Sequence, residues 1–316
     1  MSSVWITGAR GFIGRHLARE LATTEMPIIG LGHGNWPAEE ARSWGVTGWH
    51  NVEVDHSSLD QLLQSWGQPV TVFHLAGGSV VGRSFEQPFE DLRRTVDAAA
   101  ALLDWGRARC TQTKFVVVSS AAVYGPGHSI PIQESCLTNP TSPYGFHKAA
   151  MEVVCRSFAS SFGMKISVVR PFSVYGPWLE KQLIWDLCSK LFTGNRLVEL
   201  GGTGRESRDW LNVRDLARLL VLVANEGLSE GRAEFTNAGT GCPTTVRDFA
   251  NMVIDAWQDD VSLRFSGVSR KGDPECLVAD ISRAKQLGFV PEITLDHGIR
   301  EYVAWFKRRV HSARCE

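Results

Sequence analysis

A glycine-rich turn near the start of the chain limits the folds that the chain can adopt, because this turn separates an apolar strand pattern from a helical one. Ser3 to Thr7 reads as a short strand and Phe12 to Leu21 as a helix. The turn reads Thr7-Gly8-Ala9-Arg10-Gly11-Phe12-Ile13-Gly14. Glycines let backbone N–H groups approach a phosphate at a helix N-terminus, where the helix dipole favours negative charge. The turn therefore predicts a dinucleotide site held by Gly8, Arg10, Gly11, Phe12, Ile13 and Gly14.

Strand and helix patterns continue to alternate up to about residue 170. Further strands are predicted over Pro27–Leu31, Val52–Asp55, Val70–Ala76, Phe115–Ser119 and Ile166–Arg170, and helices over Leu59–Trp66, Pro88–Trp105 and Pro143–Phe162. Such alternation is typical of an α/β fold with a doubly wound parallel sheet, here a Rossmann domain over 1–170.

Beyond Pro171 the loops are longer and richer in glycine, and the pattern indicates a smaller α/β substrate lobe over 171–316, with the chain recrossing between lobes. Helices are predicted there over Gln182–Phe192, Val213–Asn225, Val246–Trp257 and Leu295–Arg308.

A proton-transfer site is predicted from three residues in two segments. Tyr144 and Lys148 lie one helical turn apart, so the lysine ammonium can approach the phenol and favour its ionised form. Ser120 follows a buried strand, where its hydroxyl can hydrogen-bond a substrate oxygen as charge develops. We predict these three as catalytic residues, with Lys148 also binding the nicotinamide ribose. The alternative is a helix with an exposed lysine and a half-buried tyrosine.

The second strand indicates which dinucleotide binds. An acidic residue at its end would hold an adenosine ribose, but the segment reads Ile29-Gly30-Leu31-Gly32-His33-Gly34-Asn35. Arg10 in the glycine turn, assisted by His33, suits a 2′-phosphate instead. NADP(H) is therefore favoured, and NAD remains open because Arg10 could be a solvated turn residue. Asp55 is either a contact of the adenine amine or an acid at a helix N-terminus.

Composition excludes several other classes of function. The formal net charge is −1, so no basic field indicates nucleic-acid binding. The 7 cysteines are scattered without a Cys-x-x-Cys pair, which favours free thiols over a metal site and fits a reducing cytosol. No apolar run approaches the length of a membrane span, and no secretory signal is visible, so a cytoplasmic protein is expected.

Together these segments resemble the extended short-chain dehydrogenase/reductase family, specifically its nucleotide-sugar epimerases, dehydratases and ketoreductases. The resemblance rests on the glycine turn, the Tyr144–Lys148 pair and four further runs. These are His74-Leu75-Ala76-Gly77-Gly78, Ser119-Ser120-Ala121-Ala122-Val123-Tyr124-Gly125, Arg170-Pro171-Phe172-Ser173-Val174-Tyr175-Gly176-Pro177 and Arg208-Asp209-Trp210-Leu211-Asn212-Val213-Arg214-Asp215. It implies hydride transfer at a sugar carbon, usually C4, and adds Leu75, Ala76, Gly77 and Pro171 to the cofactor site.

The resemblance also implies the substrate side, a nucleotide-diphosphate sugar. Arg208 and Arg270 would grip the diphosphate, although each could instead pair with Asp209 or Asp273. Ser79, Ser120, Ala121, Tyr144 and Ser173 would meet the rest of the substrate. Relatives commonly have Asn at Ser173 and near Thr95, and UDP-galactose epimerases have Lys at Ser79. These departures argue against a standard UDP-glucose 4-epimerase.

Three functions remain. Dehydratases place Asp-Glu where this chain has Ala121-Ala122, and alanine cannot transfer a proton, so dehydration by that route is disfavoured. The absence of a ribose-binding acid and the presence of Arg10 favour an NADP(H)-dependent C4 ketoreductase of a 4-keto-6-deoxy sugar nucleotide, and an NAD-dependent 4-epimerase is the alternative. A third reading, a non-catalytic NADP sensor or scaffold, is disfavoured because Tyr144 and Lys148 are both present. Resemblance further implies a homodimer through a four-helix bundle of the helices at 88–105 and 143–162.

Overall fold

The structure is a computed structural model that describes residues 2–194, 196–227, 231–258, 261–268 and 275–315, with backbone only for 312–315. The strands are β1 Ser3–Thr7, β2 Ile28–Gly32, β3 Gly48–Asn51, β4 Pro69–His74, β5 Lys114–Val118, β6 Lys165–Pro171, β7 Ser173–Tyr175, β8 Leu197–Leu200, β9 Ser207–Asn212, β10 Glu234–Ala238, β11 Pro243–Thr245, β12 Ser262–Phe265 and β13 Cys276–Leu277. The helices are α1 Phe12–Leu21, α2 Ala38–Ser43, α3 His56–Trp66, α4 Val81–Glu86, α5 Pro88–Leu92, α6 Ala98–Arg109, α7 Pro143–Phe162, α8 Gln182–Phe192, α9 Val213–Asn225, α10 Val246–Trp257, α11 Ser282–Gln286 and α12 Leu295–Cys315.

Seven parallel strands form the main sheet, in the order β10-β6-β5-β4-β1-β2-β3. The direction of crossover changes between β1 and β4, and in open α/β sheets a ligand binds outside the carboxyl ends of the strands at such a point. The central strands are buried along nearly their whole length, as expected when helices cover both faces. The predicted doubly wound fold is confirmed.

Helix α5 does not run directly into α6. A π-helical turn over Arg93–Asp97 joins them, so the helix predicted over 88–105 is interrupted and extends to Arg109. A π turn rotates the following residues relative to a regular α-helix, and such turns are frequent at functional sites. This one carries Thr95, whose buried Oγ1 accepts a hydrogen bond from the N–H of Gly78 at 3.0 Å.

The third strand was predicted at the wrong place. β3 lies at Gly48–Asn51, where it pairs with β2, and not at Val52–Asp55. Val52 and Val54 still pack partly against the core, which explains the apolar pattern that suggested a strand there. Asp55 caps α3 instead, accepting from the N–H of Ser58 at 2.8 Å.

Part of the chain beyond residue 171 forms small sheets and a separate helical cluster, the smaller lobe, and part of it returns to the main sheet. β7, β9, β11 and β13 form one small sheet, and β8 pairs with β12. A separate apolar cluster fills the space among α8, α10 and α12, whereas α9 packs on α1 and β10 pairs with β6. None of the described helices combines the length and apolarity needed to cross a bilayer.

A buried ion pair joins the carboxyl ends of the central strands to α7. The guanidinium of Arg170, on β6, donates to both carboxylate oxygens of Glu152 on α7, at 2.9 and 2.6 Å, and both side chains are at most 1% exposed. The hydroxyl of Ser119, just after β5, donates to the same carboxylate at 2.7 Å. Arg170 also donates to the hydroxyl of Tyr124, which donates in turn to Asn237 on β10 at 2.6 Å. Burial alone would lower the pKa of Arg170, but the hydrogen bonds and charge of Glu152 raise it.

We predict that Glu152→Gln lowers the free energy of unfolding by about 3 kcal/mol, because it leaves a buried guanidinium without a countercharge. Urea unfolding measures the change. Asp186→Asn is the control, since it removes an exposed carboxylate paired with Lys190 on the surface of α8, and should cost at most about 1 kcal/mol. Equal losses in the two variants would contradict a dominant role for the buried pair.

Candidate active site

Tyr144 is fixed by the first turn of α7. Ser142 caps this helix by accepting from the N–H of Gly145 at 3.1 Å, and Pro143 occupies the first helical position, where its missing N–H costs nothing. The N–H of Tyr144 donates to the hydroxyl of Ser84, on α4, at 3.0 Å. Its side chain therefore leaves the helix in a defined direction, toward the end of β5.

The phenol hydroxyl of Tyr144 lies beside the side chain of Ser120. Ser120 caps a short 3₁₀ turn over Ala121–Val123 and accepts from the N–H of Ala122 at 3.2 Å. Burial raises the pKa of Tyr144, the hydrogen bond with Ser120 opposes that rise, and the carboxylate of Asp91 adds to it. The environment therefore holds the phenol protonated, ready to serve as a proton donor.

Lys148 lies one turn further along α7 and is only 4% exposed. Its Nζ donates to the carbonyl of Val118 at 3.0 Å and lies 5.9 Å from the centroid of the Tyr144 ring. Burial lowers the pKa of Lys148 to about 8, although the carboxylates of Asp91 and Glu152 raise it. The predicted Tyr144–Lys148–Ser120 group thus comes together, but the ammonium is bonded to β5 and not to the phenol oxygen.

A second buried pair lies beside this group and was not singled out from the sequence. Nδ1 of His147 lies 2.6 Å from a carboxylate oxygen of Asp91, and both side chains are largely buried. Asp91 also lies against Gly78, where a Cβ would come within 1.9 Å of its oxygen. His147 thus ties α7 to α5 and to the turn after β4. The sequence shows only that His147 precedes Lys148, because its partner Asp91 is 56 residues away along the chain.

The glycine turn forms the cradle that the sequence predicts. Gly8 has φ +72°, and a Cβ at Gly14 would lie 2.3 Å from the Gly8 carbonyl oxygen, so the turn closes tightly only with glycine at these positions. Helix α1 begins at Phe12, with Gly11 at the N-cap position, and has neither a capping side chain nor an acid in its first turn. Its first N–H groups, those of Phe12, Ile13 and Gly14, and its dipole are therefore suited to an anion such as a pyrophosphate.

The turn after β4 lies directly against this cradle. The hydroxyl of Thr7 accepts from the N–H of Ala76 at 3.1 Å and lies 2.9 Å from Nδ1 of His74. A Cβ at Gly77 would be 3.6 Å from Nζ of Lys148, so Leu75, Ala76 and Gly77 connect the cradle to the catalytic group. Burial, with a smaller contribution from the Lys148 charge, lowers the pKa of His74 to about 3, so this imidazole is neutral. The residues present fit a dinucleotide.

The end of β2 carries charges of both signs. The Arg10 guanidinium reaches Gly34, where a Cβ would be 2.5 Å from its Nη1. His33 is exposed and lies 3.5 Å from the carboxylate of Glu53, a residue that the sequence reasoning passed over. The contact of the Asp55 carboxylate with the N–H of Ser58 is a helix cap, which agrees with the capping interpretation of this residue. A contact between Asp55 and the adenine amine stays a prediction.

The substrate residues are spread over both lobes. Ser173 on β7 pairs with Trp210 on β9, and Arg208 precedes Trp210 by two residues, so Ser173 and Arg208 lie on neighbouring strands. The Asp209 carboxylate is fully buried and accepts four hydrogen bonds, from Thr240, Gly241 and Ala279, so it anchors β9 instead of neutralising Arg208. Arg270 lies outside the described residues.

Three of the other predicted contacts have defined places. Ala121 is buried in the turn after Ser120, and Pro171 ends β6, where it pairs with Ala238 of β10. Ser79 is exposed and accepts two hydrogen bonds from Lys181, a residue that the sequence reasoning did not single out.

Comparison with known proteins adds a family and close structural neighbours. Residues 4–239 match the model of the NAD dependent epimerase/dehydratase family. A UDP-glucose 4-epimerase of Corynebacterium glutamicum is 30% identical over 92% of this chain and 91% of its own length.

Among solved structures, the UDP-glucose 4-epimerase of Thermotoga maritima, with UDP-glucose, superimposes with a TM-score of 0.88 at 26% identity, covering 98% of this chain and 99% of its own. The UDP-glucuronic acid 4-epimerase of Bacillus cereus, with UDP-glucuronic acid and NAD, gives 0.87 at 25% identity, covering 97% and 99%.

The lowered pKa of Lys148 predicts a pH-dependent stability. Below pH 8 the folded and unfolded states both carry the proton, so folding bears the full cost of burying the charge. Between pH 8 and 10.5 the unfolded state binds more protons, so stability rises with pH. Relative to Lys148→Met, the nucleotide-stripped protein should gain about 2 kcal/mol between pH 7 and pH 9.5.

Urea unfolding of both proteins at the two pH values measures this gain. Comparison with the variant cancels the titration of groups that the two proteins share. A difference between them that does not change with pH would show that the buried amine has an ordinary pKa.

Proposed function

Because the chain belongs to the NAD-dependent epimerase/dehydratase family, we propose that it is an NAD-dependent 4-epimerase of UDP-sugars. The observation that carries the proposal is the contact of the Tyr144 hydroxyl with Ser120, beside the buried ammonium of Lys148. Reversible removal of a hydrogen from a sugar carbinol needs one group that takes and returns the hydroxyl proton. Tyr144 supplies that group, and Ser120 hydrogen-bonds the same oxygen as its charge changes.

The residues after Ser120 limit the reaction to reversible removal of hydrogen at the sugar carbinol. Ala121 and Ala122 have no titratable group, so nothing at these positions can protonate or deprotonate a neighbouring sugar carbon and drive loss of water. A 4-keto sugar formed in the site is therefore reduced again and not dehydrated. Inversion at C4 then requires that the sugar present its other face before the hydrogen returns.

The residues that would hold the cofactor lie at the carboxyl ends of the strands. The first turn of α1 with Gly8 and Gly11 would hold the pyrophosphate, and Lys148, Tyr144 and Pro171 would border the nicotinamide. Leu75, Ala76 and Gly77 would line the path between these two ends. A bound nicotinamide dinucleotide would accept a hydride and return it. Lys148 holds a positive charge near the Tyr144 ring, which favours the phenolate when the phenol has lost its proton.

The substrate side is proposed from the relatives and the arrangement of the lobe. Both named structural neighbours were solved with a UDP-sugar, and Arg208 with Ser173 lies where a diphosphate held against the smaller lobe would reach the catalytic group. Guanidinium groups suit a diphosphate because each presents paired N–H donors to phosphate oxygens.

The test is interconversion of C4 epimers by the purified protein, with UDP-glucose and UDP-glucuronic acid each supplied with NAD and the products separated by chromatography. Tyr144→Phe should lower kcat by about 10²- to 10⁴-fold, because the proton-transfer group is lost while the ring remains. The affinities of the variant for NAD and UDP should stay close to those of the wild type. A variant with unchanged kcat would refute the assignment of Tyr144.

A C4 ketoreductase is the second candidate, and the position of Arg10 favours it. A guanidinium at Gly34 beside the end of β2 is suited to the 2′-phosphate of NADPH. The nearby carboxylate of Glu53 would repel that phosphate, which supports NAD instead. Cofactor titration discriminates the two: tightly retained NAD with no net cofactor consumption supports the epimerase. Exchangeable NADPH consumed with a 4-keto sugar supports the ketoreductase.

Arg10→Ala reports on the same choice of cofactor. In a ketoreductase the substitution should weaken NADPH binding by at least tenfold more than NADH binding, since only NADPH carries the phosphate. Arg42→Ala removes another exposed arginine, on α2, and is the control. Equal effects of Arg10→Ala on the two cofactors would remove the argument for NADP(H).

A homodimer through α5, α6 and α7 is part of the proposal. Large apolar side chains are exposed on two of these helices: Phe89 on α5 at 73%, and Phe146 and Val153 on α7 at 58% and 60%. Exposed apolar side chains of this size are more stable when they are buried against a second copy. Sedimentation as a monomer at micromolar concentration would contradict the homodimer.

The described cysteines from Cys110 to Cys276 are all free, which is compatible with a cytosolic location.

A further inference from the structure

Two loops from different lobes meet at a single lysine beside the active site. Lys181 directly precedes α8 in the smaller lobe, and its Nζ donates to both the carbonyl oxygen and the hydroxyl of Ser79, at 2.9 and 2.8 Å. Ser79 follows β4 and is two residues from Gly77, the glycine that adjoins Nζ of Lys148. The Lys181 ammonium is therefore held at the turn that borders the catalytic group, although 102 residues separate it from Ser79.

Among the residues that the structure describes, no side chain neutralises the charge of this ammonium. No carboxylate of the described residues lies within 4.0 Å of Lys181, and the preceding residue, Glu180, pairs with Arg309 instead. Burial lowers the pKa of Lys181, and no acid in the described part of the chain offsets that effect. An ammonium has three N–H donors, and Ser79 takes two of them. A partly buried cation with neutral partners is costly unless a further acceptor, preferably an anion, completes its contacts.

The backbone on both sides of Lys181 is strained. Trp178 has φ +75° and Gln182 has φ +66°, and only one other described non-glycine residue, Gln258 at the end of α10, has a positive φ. Residues with a side chain adopt this conformation at a cost, and such strain persists where the surrounding structure enforces it, often at ligand sites. Here the strain lies on either side of the residue that carries the ammonium.

We infer that Lys181 is a substrate-binding residue whose ammonium takes an anionic oxygen of the UDP-sugar at the turn after β4. This inference rests on the proposed function. Two groups of a UDP-sugar can supply an anionic oxygen: the diphosphate, and a carboxylate on the sugar where the sugar has one. Because Lys181 belongs to the smaller lobe and Ser79 to a loop of the main sheet, a substrate bound by this ammonium would contact both parts of the protein.

Isothermal titration of the purified protein with UDP-glucose, UDP-glucuronic acid and NAD tests the inference. Lys181→Met should raise the Kd of at least one UDP-sugar by tenfold or more and leave the Kd of NAD unchanged. Equal rises for both sugars identify the diphosphate as the contact, and a rise for UDP-glucuronic acid alone identifies the carboxylate. Lys190→Met, which removes an exposed lysine of α8 paired with Asp186, is the control and should change none of the three Kd values.

The double variant Ser79→Lys with Lys181→Met separates ligand binding from a loop tether. In this double variant the ammonium stands on the loop after β4, and the hydrogen bonds between the two loops are absent. If the ammonium binds substrate, the double variant should recover much of the affinity that Lys181→Met loses. Unchanged affinities in Lys181→Met would overturn the inference. So would an equal loss of NAD and UDP-sugar affinity together with a lower Tm, since that pattern belongs to a structural tether. A wild-type protein that binds no UDP-sugar would overturn the proposed function itself.

Discussion

The active site depends on the buried ion pair between Arg170 and Glu152, because this pair fixes the parts that carry the catalytic groups. Glu152 lies one turn beyond Lys148 on α7, and it accepts from Ser119, the neighbour of Ser120. Two charges removed from water are stable only when their remaining hydrogen-bonding groups are satisfied. The hydroxyl of Tyr124 and neighbouring backbone meet that requirement here, so strand ends, helix and catalytic side chains share one rigid framework.

Burial then gives the two titratable catalytic groups opposite tendencies. It raises the pKa of the Tyr144 phenol and lowers that of the Lys148 amine to about 8, because in both cases it disfavours the charged form. The raised pKa keeps the phenol protonated at neutral pH, whereas the amine changes charge near pH 8. In the proposed reaction, a substrate oxygen that gains negative charge would take the phenol proton, and the Lys148 ammonium would stabilise the phenolate left behind. This response is the property that reversible proton transfer requires.

Sequence patterns located the long helices well and the short elements poorly. Helices α1, α7, α8, α9 and α10 have the predicted bounds, since each combines helical apolar spacing with a clear start or stop. The six-residue helices α2 and α4 were missed, because so short a segment shows too little periodicity. The strands of the smaller lobe were not predicted individually, and the shifted β3 shows that an apolar run can pack on the core without joining the sheet.

The sequence by itself determined the glycine cradle and the Tyr144–Lys148 pair, since both depend on spacing within a single turn or helix. Ser120 was predicted from its place directly after a buried strand, and the family resemblance added the argument against dehydration. Only the tertiary structure decided which distant groups meet: His147 with Asp91, Arg170 with Glu152, and Lys181 with Ser79. Such contacts join separate elements, and their existence depends on sheet order and helix packing. No local pattern encodes that order, so a lysine from the smaller lobe beside the catalytic group could not be read from the chain alone.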